Sequence, residues 1–165
     1  MTVMWEKLIV ILNQTLQIYQ ALLQISRQKR ETLIAADPQT LDQLTKQEEM
    51  LIIEAGKLEK QRQPIMQELA AALGITLNDV TLSTLVQYAD DETAAELEEI
   101  SEEFLDITAE LTQLNELNEK LIKQSLEYIN YNINVLSQTA AESTYAPQGQ
   151  DGPGKIGRFI LDKKV

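Results

Sequence analysis

The sequence predicts an all-α fold: three long helices in an antiparallel coiled-coil-like bundle, followed by a C-terminal tail. Three observations carry this. Leu, Gln, Glu, Ala and Ile dominate the 165 residues, a helix-favouring composition. With 6 Gly and 4 Pro, and aromatics at 5%, the turn formers of a sandwich or barrel are missing. Apolar residues recur at heptad spacing through three segments separated by breaks.

The first helix is expected over 3–36. Trp5, Leu12, Tyr19, Ser26 and Leu33 repeat every seven residues, with Ile9, Leu16, Leu23 and Arg30 interleaved. Ala35-Ala36-Asp37-Pro38 then reads as a break. Asp37 suits a helix cap, and Pro38 suits a first helical position, where no N–H is needed. A turn this short makes the first two helices antiparallel.

The second helix is expected over 38–73. One row is Leu44, Leu51, Leu58, Ile65 and Ala72; the other is Leu41, Glu48, Ala55, Arg62 and Leu69. Pro64 should kink this helix or mark a restart, because it removes an interior hydrogen bond. Gly74 is a natural C-cap. The connector, 74–91, should hold a short helix capped by Thr81 and carrying Leu82, Leu85 and Val86. Asp90, Asp91 and Glu92 suit the positive end of the helix that follows.

The third helix, 92–141, contains no Pro or Gly. Leu97, Ile100, Phe104, Ile107, Leu111 and Leu114 form its seam, and the same register then meets Asn118, Ser125 and Asn132. The apolar row resumes instead at Ile122, Leu126, Ile129, Ile133 and Leu136, flanked by Leu121, Tyr128, Tyr131 and Val135. The 11 residues from Leu111 to Ile122 mark a stutter in the repeat. The bundle thus spans 1–141. The tail, 142–165, holds four of the six glycines and two of the four prolines and reads as disordered, with Tyr145, Phe159, Ile160 and Leu161 as anchors.

Composition excludes several chemistries. Without cysteine there is no disulfide, thiol nucleophile or thiolate site. Without histidine there is no Ser-His-Asp triad, His-metal site or phosphorelay. No activating neighbour or phosphate loop stands beside any Ser, Thr, Tyr or Lys, so no enzyme, catalytic residue or cofactor is expected. The net charge of −12 opposes nucleic-acid and anionic-membrane binding. No apolar run is expected to span a bilayer, the N-terminus lacks signal-peptide features, and the cytoplasm is the expected location.

Segment 74–110 carries a charge of −11 and no Lys or Arg. Its carboxylates read as a solvated helix face, and no metal site is expected. The broad apolar face at 122–136 is the informative feature. At about 1.5 Å per residue the third helix is roughly 75 Å long, against about 50 Å for each of the others. Its last four turns then lack a partner if it starts level with the end of the second helix. The face is either a binding site or core between neighbours.

LIKQSLEYINYNINVL, followed by STYAPQGQ and ending in FILDKKV, resembles the FlgN family of flagellar export chaperones. The resemblance implies a small acidic cytoplasmic chaperone. Its clients would be hook-associated proteins of the hook–filament junction, held by their C-terminal amphipathic helix before type III export. The client would lie on Ile122, Leu126, Ile129, Ile133 and Leu136, with Tyr128, Tyr131 and Val135 alongside. Tyr145 matches the tail tyrosine that docks on the cytoplasmic domain of the export gate; the export ATPase is a further implied partner. The competing class is a structural coiled-coil homodimer without a client, built on the same rows.

Overall fold

The computed structural model describes residues 1–144. Its elements are α1 (Thr2–Ile34), α2 (Pro38–Leu73), a 3-10 turn (Leu77–Asp79), α3 (Leu82–Val86) and α4 (Asp91–Thr144). There is no strand among the described residues. The residues divide into two compact units, Met1–Leu121 and the stretch from Ile122 onward.

Local chemistry sets the boundaries. Asp37 caps α2, its carboxylate accepting from the Thr40 backbone N–H at 3.1 Å and from the Thr40 hydroxyl at 2.6 Å. Those bonds hold its carboxyl below the usual range. Ala36 turns the chain at φ +54°, one of two positive-φ positions among the described residues. The other is Gly74, which ends α2 in the left-handed region at φ 69°, where a Cβ is unfavourable. Thr81 caps α3 through the Thr84 N–H at 3.1 Å. Asp90 caps α4 through the Thr93 N–H at 2.8 Å, which lowers its pKa.

Pro64 neither ends nor restarts α2, which runs unbroken from Pro38 to Leu73. Pro64 is exposed, so the backbone carbonyl it leaves without a helical donor can turn to water. Gly56 also lies inside α2, and a Cβ there meets nothing within 4 Å. Gly56→Ala is therefore expected to stabilise the protein by about 0.5–1 kcal/mol, read as a higher urea midpoint.

The first unit is a bundle around α1. α2 returns antiparallel to α1. α4 runs parallel to α1: Tyr19 meets Phe104 edge-to-face at 5.4 Å, Arg27 Nε donates to Glu110 at 2.9 Å, and Ser26 meets Asn115 and Asn118. The core sits where the start of α1, the end of α2, α3 and the start of α4 converge. There Trp5, Leu8, Leu12, Met66, Leu69, Leu85, Leu97 and Ile100 pack together, with Leu8, Leu69, Leu85 and Leu97 fully buried. Because α1 faces α2 on one side and α4 on the other, it buries Leu8, Leu22 and Ile25 in addition to its expected rows.

α1 corrects one expectation. It contains an 18-residue window of mean hydropathy 1.3, long and apolar enough by composition to cross a membrane. The apolarity has a different use here, since α1 is the helix that both neighbours cover.

One layer of the bundle is polar. Ser26 and Asn118, both on seam positions, are 0% and 4% exposed. The Asn118 amide donates to the Ser26 backbone oxygen at 3.0 Å, and the Ser26 hydroxyl donates to Asn115 Oδ1 at 3.0 Å. Lys29 of α1 and Glu48 of α2 pair at 2.8 Å with both side chains largely covered, so the charged Glu48 of the second seam has a cross-helix partner.

Candidate functional site

The buried side of α4 follows the heptad through Leu97, Ile100, Leu114 and Asn118, with Phe104, Ile107, Leu111 and Leu121 partly covered between them. From Ile122 the apolar row departs from that register. Continuing the seam from Asn118 leads to Ser125 and Asn132, whereas Ile122 is four residues on from Asn118 and lies about 40° round the helix. The stutter read from the sequence therefore coincides with the end of the core-facing stripe. α4 itself does not break there.

All eight expected contact residues are exposed. They range from 38% at Ile122 and 40% at Val135 to 68% at Tyr128 and 69% at Leu136. Leu126, Ile129, Ile133 and Leu136 are spaced three or four residues apart, so their side chains adjoin along one face of α4. The row from Ile122 to Leu136 is about 21 Å long. Tyr128, Tyr131 and Val135 are exposed too, but they form a second row turned roughly 120–180° round the helix from the first. Charge is sparse there: Lys123, Glu127 and Glu142 are the ionised groups between 122 and 142. An uncharged apolar ridge of this kind can receive the apolar face of another helix. Tyr145 lies outside the described residues.

The acidic half of α4 differs. Glu96, Glu98, Glu99, Glu102, Glu103 and Asp106 are all exposed. Among the described residues no group of three or more carboxylates is placed to hold a metal ion.

A second open apolar surface was not anticipated. Leu51, Leu58 and Ile65, read as a seam of α2, are only half-buried. One side of that seam meets α1; the other opens as a shallow groove between α1 and α2. Val3 and Val10 of α1, outside the heptad rows, are exposed at its edge. The signal was present in those two valines, which make α1 apolar over more than one stripe.

Comparison with known families gives one finding: the family model described as FlgN protein matches residues 1–152. No curated protein and no solved structure matches.

Proposed function

The chain belongs to the FlgN family of flagellar export chaperones, and from that premise we propose that it holds hook-associated proteins of the hook–filament junction until they are exported. The family is one of chaperones rather than enzymes, in keeping with a sequence that offers no histidine or cysteine. The observation that carries the finer reading is the exposed apolar face Ile122–Leu136, at the point where the heptad register slips away from the core.

A client's C-terminal amphipathic helix would lay its apolar stripe along Leu126, Ile129, Ile133 and Leu136. The same stripe drives the client's own assembly, so covering it prevents premature polymerisation. The work is done in the cytoplasm, with no cofactor. Release at the type III apparatus needs a second contact, which we assign to Tyr145 and the cytoplasmic domain of the export gate. The export ATPase is a further partner in this scheme.

The test is a calorimetric titration of the full chain with the C-terminal helix of a hook-associated protein. Stoichiometric binding is expected, and its absence would overturn the reading. Tyr145→Ala separates the two contacts. A tail tyrosine is a compact anchor for a partner at low entropic cost. The variant is expected to keep its affinity for the client helix and its melting temperature while losing affinity for the gate domain. Equal loss toward both partners would remove the division of roles.

A further inference from the structure

The groove between α1 and α2 is continuous. Gln14 and Gln61 border both its first and its middle stretch, and Ala21, Leu51 and Glu54 border both its middle and its last. Along α1 it runs from Val3 to Ile25, a span of about 33 Å. Its floor is apolar: Ile18 and Ala21 of α1 and the α2 seam residues Leu51, Leu58 and Ile65 are all half-buried. A seam of this kind lacks one helix.

We propose that the missing helix is the C-terminal part of α4 from a second copy of this chain. Three observations select it. The first is length: the helical stretch Ile122–Thr144 is also about 33 Å long, and its apolar row has the three-and-four spacing that a groove between two helices accepts.

The second is charge. A chain at −12 repels its own copies, so self-contact must use surfaces without net charge. The groove is bordered by Glu6, Lys7, Glu54 and Lys57, which cancel. The α4 stretch carries only Lys123, Glu127 and Glu142. The third is polar chemistry. The groove's rim is rich in amides, with Gln14, Gln17, Gln47 and Gln61. The α4 stretch offers Asn130 and Asn132 on the two sides of its apolar row. Amides donate and accept at once, so they pair across a contact without counter-ions.

The contact uses the face that the proposed function gives to the client, but does not rest on that reading. Where both hold, a second copy covers the face until a client displaces it.

The chain has no native cysteine, so introduced thiols report the contact cleanly. Ala21→Cys marks the groove and Ile129→Cys the α4 face. Under mild oxidation, an equimolar mixture is expected to yield a mixed disulfide dimer well above what either variant forms alone. No excess of the mixed product overturns the proposal. Efficient dimerisation of Ile129→Cys by itself also overturns it, since that would pair face with face.

Leu58→Glu provides an independent measurement. It is expected to weaken self-association in sedimentation by about tenfold or more, while the client helix binds no more weakly, since a competing copy has been removed. Unchanged self-association in a variant that melts like the parent chain would overturn the proposal. Failure of the client titration with the mixed disulfide still forming would defeat the proposed function and leave this inference standing.

Discussion

Leu97→Ala is expected to lower the unfolding free energy by about 2–5 kcal/mol. Leu97 is fully buried among Trp5, Leu8, Leu69, Leu85 and Ile100, contributed by four helices. Removing its isobutyl group takes away the transfer free energy of the lost carbons. It also leaves a cavity that the surrounding side chains fill only in part. Chemical denaturation should show a lower midpoint at nearly constant slope. Leu105→Ala is the control: that leucine is on the same helix but 67% exposed, so its loss should change stability by less than about 0.5 kcal/mol. Similar losses from both variants would mean that the start of α4 does not hold the core together.

The second large effect falls on binding. Leu126→Asp and Ile133→Asp place a carboxylate on exposed positions, at 55% and 54%, so neither should disturb melting. In a complex with the client helix the same carboxylate must lose its water within an apolar contact. That costs several kcal/mol, roughly a hundredfold or more in affinity. Titration and thermal melting on the same samples check both halves. Loss of cooperative melting would reveal the residues as core and end their assignment to the client.

The three long helices were legible because each announces itself with a heptad. Asp37, Gly74 and Thr81 sit where short-range chemistry places them, within one or two residues of the observed boundaries. The α4 face was legible through its stutter, although periodicity alone left it open whether Ile122 to Leu136 were core or surface.

Other features could not be read, for physical reasons. The full burial of Leu8, and the burial of Leu22, depend on α1 having neighbours on two sides, which no single heptad encodes. The open side of the Leu51–Leu58–Ile65 seam is likewise a matter of which helix is absent. Pro64 does not restart α2, since at an exposed position the carbonyl it leaves free can bond water. The apolarity of α1 exceeds what its heptad rows required, because two of its sides are covered.

The Ser26–Asn118 layer bears on how the bundle finds its alignment. Apolar heptads are nearly degenerate under sliding, since moving α4 seven residues along α1 again sets leucines against leucines. The amide removes that degeneracy. A slip of one repeat would set Asn118 against Tyr19 or Leu33 in place of Ser26, stranding its donors at a cost of about 1–3 kcal/mol. Misaligned docking of α4 is thus penalised by a single residue pair before side-chain packing is complete. Without that pair, as in a Ser26→Ala, Asn118→Leu double variant, refolding would sample shifted alignments and lose its single-exponential course even where the final stability rose.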